Sequence, residues 1–120
     1  MENKSITHIT RSGQMNWEPL LEAGVKTQGI FVKVLRFDEA TKRAPVILLK
    51  FEPGAVYPYH NHPGGEEAFV LEGEVRFGKE DLVQGDYLYT APNEKHVVVS
   101  KSGCVLLLSI PEEIEIIKVS

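Results

Sequence analysis

At 120 residues and 42% hydrophobic content, the chain has enough apolar mass for one compact core and too little for two. A formal net charge of −4 argues against nucleic acid as a partner, and no apolar run approaches the ~20 residues of a membrane span. The lone Cys104 excludes an internal disulfide framework and a paired-cysteine zinc module; with no signal-like apolar stretch at the N-terminus, the expected address is cytoplasmic.

Residues 1–16 are polar with scattered β-formers. Within them Ser5 to Thr10 reads as an edge strand, a strand swapped into a neighbour or simply a loose segment, and His8, isolated, as an ordinary surface histidine. Trp17 is expected to anchor this segment on a domain that spans 17–120. A β-rich run at 29–37 ends at Asp38-Glu39, and Lys42 and Arg43 fall at the solvated tip of the hairpin that follows. The next strand, 46–51, closes at Pro53-Gly54. A histidine-bearing strand follows, then Pro63-Gly64-Gly65, then 68–71 running into Glu72-Gly73. Residues 74–77 alternate polar and apolar as a half-buried strand does. Further short strands are expected at 82–83, 87–90, 96–100, 104–110 and 114–119, punctuated by Gly85-Asp86, Pro92, Ser102-Gly103 and Pro111. No segment has a helical period of useful length. The chain therefore reads as all-β, a sandwich or a barrel.

Strand parity directs Phe51, Ala68, Val70, Phe77 and Val98 to an apolar inner wall, which suits a small, partly apolar ligand. Cys104 heads an apolar run and reads as a small buried core residue. Tyr57, Tyr59, Tyr87 and Tyr89 fit equally as hydroxyls at a barrel mouth or as aromatics on the outer faces.

The chemistry concentrates between Gly54 and Gly73. His60 and His62 are two apart, so on a strand both imidazoles aim at one side. The two glycines after Pro63 let the chain reverse as a hairpin, which would bring Glu66 or Glu67 toward the same point. Neutral imidazoles with a carboxylate suit a divalent transition metal. Such a site needs a further donor from elsewhere, and His96, ahead of Val97-Val98-Val99, is the candidate.

These residues resemble the cupin superfamily. Its first motif (glycine, five residues, His-x-His, three or four residues, Glu, six residues, Gly) is matched by Gly54, His60, His62, Glu66 and Gly73. The second motif is looser: Gly85, Pro92 and His96 match, Glu94 replaces a glycine that usually follows the proline, and a later asparagine is missing. The stretches HPGGEEAFVLEGE and PNEKH look most like the cupin domain of ChrR-type anti-sigma factors, to which small ketone-cleaving dioxygenases are similar. The resemblance implies a double-stranded β-helix (jelly-roll) barrel, one metal ion in its mouth held by His60, His62, Glu66 and His96, and a homodimer. Glu66 is the acid at the family spacing; Glu67 would face the other side of the strand.

The resemblance implies two functional classes. One is a dioxygenase using one divalent transition metal per chain (Fe, Zn or Mn) on a small carbonyl compound such as a diketone or hydroxyketone, with Glu66 also serving as a base. The other is a non-catalytic metal-dependent sensing or small-molecule-binding module. A sugar-epimerase-like cupin is a third reading, disfavoured by the intact ligand set.

Overall fold

The computed structural model describes residues 7–117. Ten strands follow a short 3-10 turn at Ser12–Gln14: β1 (Glu18–Pro19), β2 (Ile30–Asp38), β3 (Arg43–Phe51), β4 (Val56–His62), β5 (Glu66–Phe77), β6 (Glu80–Val83), β7 (Tyr87–Thr90), β8 (Glu94–Val99), β9 (Cys104–Ser109) and β10 (Glu115–Ile116). All pairings are antiparallel, in the order β1-β2-β3-β9-β5-β8-β4-β10, with β6 and β7 also on β5. This curled sheet is an all-β jelly-roll barrel. Among the described residues no helix is long and apolar enough to cross a membrane.

The short runs 68–71 and 74–77 are one strand. β5 pairs β7 and β9 through its first half and β6 and β8 through its second, so it passes from one face of the barrel to the other. Two features permit this. A register shift between Val70 and Glu72 adds a residue, so the inward positions change from Glu66, Ala68 and Val70 to Val75 and Phe77. Gly73 then sits at φ 81°, where a Cβ would lie 2.1 Å from the Gly103 carbonyl oxygen. Only glycine fits there.

The expected inner wall is where parity put it: Phe51, Ala68, Val70, Phe77 and Val98 all belong to the buried core, together with Cys104. Burial pushes the Cys104 thiol up to about 11, so it is an inert packing residue.

Several expectations need correction. The Pro63-Gly64-Gly65 turn is not a hairpin tip. The described residues carry no β4–β5 ladder; β4 pairs β8 and β10, so the turn is a corner between barrel faces. Residues 7–10 carry no strand, while Ser5 and Ile6 lie outside the described residues. Thr10 instead donates from Oγ1 to the Leu35 carbonyl of β2. Trp17 is half-buried against β2 and β3, as an anchor would be, with the ammonium groups of Lys33 and Lys50 at 4.6 and 5.7 Å from its ring. The last strand is two residues long, and 118–119 of the expected 114–119 lie outside the described residues.

Candidate metal centre

β4 and β8 run side by side with His60 directly opposite His96, and His62 two residues further along β4. Strand periodicity aims His60 and His62 inward, and register, which no local signal encodes, brings His96 to them. All three are buried, and one ligand atom from each lies within 4.8 Å of the others. Glu66 enters from the corner that begins β5. Its Oε1 stands 3.3 Å from His62 Nε2 and 3.7 Å from His96 Nε2. Glu67, one residue on, faces outward and accepts a 2.6 Å hydrogen bond from the Tyr87 hydroxyl. Gly65 makes the corner possible: at φ 79° it has the Thr90 carbonyl 2.7 Å from where a Cβ would stand.

Backbone carbonyls orient the rings. His60 Nδ1 donates to Pro58 O at 2.7 Å and His62 Nδ1 to Glu94 O at 3.3 Å, which leaves both Nε2 lone pairs facing each other across 3.0 Å. Two facing lone pairs repel unless a proton or cation lies between them. His96 Nε2 and Glu66 Oε1 are also fully buried, with no hydrogen-bond partner. Ligands ~2.1 Å from one ion sit about 3.0–3.4 Å apart in neighbouring positions, close to these separations. The three buried histidines could hold a metal ion, and Glu66 adds a carboxylate oxygen to the same space. Glu94, which departs from the motif, contributes through its backbone; its side chain is exposed, and Asn93 before it takes the left-handed conformation at φ 69°.

The environment keeps the site ready for a cation. Burial lowers His60 to about 4 and His96 to about 3, so both stay neutral. Burial would lower His62 too, but the Glu66 carboxylate, 3.3 Å from its Nε2, outweighs it and raises that residue. His62 is thus the histidine that takes the proton a metal would replace.

The site opens on a cavity of about 380 Å³ that His60 and Glu66 line at one end, with apolar walls from Leu49, Phe51, Val98 and Leu106. Of the four tyrosines only Tyr57 reaches it; Tyr59, Tyr87 and Tyr89 lie on outer surfaces. Tyr57 and His60 are three apart, yet both point inward because β4 is irregular between them. Their rings meet edge to face at 4.8 Å. Burial, with help from Glu22, pushes the Tyr57 hydroxyl pKa far up, so it stays protonated. Lys42 is the exposed hairpin tip expected, but Arg43 is not: it is half-buried at the cavity mouth and donates to the Ile110 and Pro111 carbonyls at 3.2 and 3.1 Å. Glu22 and Arg43 carry no sequence signal of a role here.

A jelly-roll barrel with a His-x-His strand and a facing histidine defines the cupin class. The family model of the ChrR cupin-like domain matches residues 6–110, so the chain belongs to the ChrR cupin-like family. No curated protein matches the chain. Among solved structures, it is similar to a candidate acetylacetone dioxygenase from Methylibium petroleiphilum PM1, with 19% identity, a TM-score of 0.85, and coverage of 98% of this chain and 85% of that one. An acetylacetone dioxygenase from Acinetobacter johnsonii is similar at 15% identity and a TM-score of 0.81, covering 98% and 82%. The anti-sigma factor ChrR, in complex with SigE of Rhodobacter sphaeroides, is similar at 22% identity and a TM-score of 0.64; here 83% of this chain aligns with 51% of that one. At these identities the likeness speaks to the fold.

Proposed function

We propose that the chain is a mononuclear metal-dependent dioxygenase acting on a small carbonyl compound such as a diketone or hydroxyketone. His60, His62, His96 and Glu66 would hold one divalent transition metal. The observation that carries this is the convergence of three buried imidazoles and a buried carboxylate oxygen without a hydrogen-bond partner beside a largely apolar cavity. The two acetylacetone dioxygenase structures support the reaction class by analogy.

A bound iron(II) would supply Lewis-acid activation of a chelating enolate and would relay electrons from that substrate to dioxygen. The protein supplies the rest. The Pro58 and Glu94 carbonyls hold the imidazoles in the tautomer that presents Nε2. Glu66 Oε1, swung off the metal, would accept the proton released when the ketone enolises. The apolar walls orient the ligand and exclude water from the reacting carbons. The reading includes a cytoplasmic address and a homodimer, the latter favoured by Phe69, Leu71, Tyr87 and Tyr89, all exposed on β5 and β7.

The test is oxygen uptake by the iron, zinc and metal-free forms over a panel of β-diketones and hydroxyaryl ketones. Iron-dependent uptake with carbon–carbon cleavage is expected. Uptake by none of the panel, with iron bound stoichiometrically, would replace this reading by the second one. That second reading, a metal-dependent sensing or ligand-binding module, is favoured by the family match and the ChrR structure.

A further inference from the structure

The cavity carries polar lining groups besides His60 and Glu66. Glu22 and Tyr57 both line it, and the Tyr57 hydroxyl donates to Glu22 Oε1 at 2.5 Å. Glu22 is not carried on a loose loop. Its segment is tied to the barrel by β1 on β2, by Leu20 N–H donating to Ile30 O at 2.9 Å, and by the Thr27 hydroxyl on Leu20 O. Leu20 itself packs against the core.

The charges around the mouth are unequally committed. Arg43 spends its guanidinium on two backbone carbonyls, and Lys42 pairs with Glu39 at 3.1 Å. Among the described residues, Tyr57 is the one hydrogen-bond partner of the Glu22 side chain, and it engages Oε1 alone. Glu22 Oε2 therefore remains as a carboxylate acceptor in a cavity whose lining also carries Thr41 and Glu113 among its apolar side chains. Tyr57 also links Glu22 to the histidine cluster, since its ring packs on His60 while its hydroxyl fixes Glu22.

We propose that Glu22, positioned by Tyr57, is a specificity determinant that selects ligands bearing a hydrogen-bond donor, a hydroxyl or an ammonium, on the end that meets Glu22. A ligand with an apolar middle and one donor terminus complements the cavity; the same ligand without the donor leaves the carboxylate desolvated and unpaired.

The probes are p-cresol, 4-methylbenzylamine and toluene, matched in size and unable to chelate. Their affinities for the protein as purified are read from amide chemical shifts in NMR titrations, for wild type, Glu22→Leu and Tyr57→Phe. Hydrogen bonds to charged groups predict that Glu22→Leu lowers the affinity ratio of a donor probe to toluene by about tenfold or more, with toluene binding no weaker than to wild type. Whichever of p-cresol and 4-methylbenzylamine shows the larger loss identifies the donor. Tyr57→Phe should lower the ratio by a smaller factor, because Glu22 is present but no longer held. A ratio unmoved by Glu22→Leu overturns the proposal, as does an equal loss for all three probes, which would mark a structural latch, or failure of every probe to bind wild type. The fragments have no chelating group, so this outcome is independent of the metal-dependent activity: oxygen uptake can fail while the Glu22 selection stands.

Discussion

Replacing His96 by alanine should separate the metal-binding reading from a merely structural one. Altering even a partner of a metal ligand costs 10–100-fold in affinity, so losing an imidazole should cost at least about 100-fold. With free zinc at ~100 times the wild-type dissociation constant, binding to the native state alone stabilises it by about 2.7 kcal/mol. In the variant the same concentration is at most about equal to the dissociation constant, and the stabilisation falls to about 0.4 kcal/mol. At about 4 °C per kcal/mol for a chain of this size, zinc should raise the Tm of wild type by about 11 °C and that of His96→Ala by no more than about 2 °C. The metal-free variant will itself melt lower, because the ring is 8% exposed and packs on Phe77 at 5.3 Å between centroids. The quantity that matters is therefore the zinc-induced difference within each protein, followed by circular dichroism, with the exposed His8→Ala as control. An equal zinc-induced rise in wild type and His96→Ala would refute the assignment of His96 as a ligand.

Metal affinity should fall as the pH is lowered, because protons compete for the imidazoles. His62, raised by Glu66, titrates first, so the loss should begin above the ordinary histidine value of ~6.5 at about tenfold per pH unit, and steepen only where His60, at about 4, joins; a chelator competition flat from pH 7 to 5 would contradict this. Gly73→Ala should cost well above the ~1–2 kcal/mol of a left-handed alanine, because its Cβ meets the Gly103 carbonyl, whereas Gly85→Ala, at φ 92° in open space, should cost only that much; equal urea midpoints for the two would remove the argument from close approach. Glu66→Gln should lower turnover more than metal loading if Oε1 accepts the substrate proton, which a comparison of kcat with stoichiometric metal content measures. Light scattering should report a dimer of the 13.4 kDa chain, and Tyr89→Lys on the exposed face of β7 should weaken it.

The period-2 geometry of a strand is local, so the pairing of His60 with His62, the outward turn of Glu67 and the inward set Phe51, Ala68, Val70, Phe77 and Val98 were all legible from sequence. The glycines marked places where the chain must bend, and Gly54, Gly65, Gly73 and Gly85 do have positive φ. What they bend between was not legible. That Pro63-Gly64-Gly65 is a corner and β5 one strand shared by two barrel faces depends on which strands pair, and pairing is settled by the whole sheet closing on its core. The same holds for His96 facing His60, for Tyr57 turned inward by an irregularity in β4, and for Arg43 drawn to carbonyls 67 and 68 residues away. Tyr57 and Glu22 are 35 residues apart, and neither has a neighbour in sequence that announces the other. Sequence determined which side chains carry chemistry, because strand periodicity acts over two residues; tertiary structure decided which of them meet, because register and barrel closure act over the whole chain.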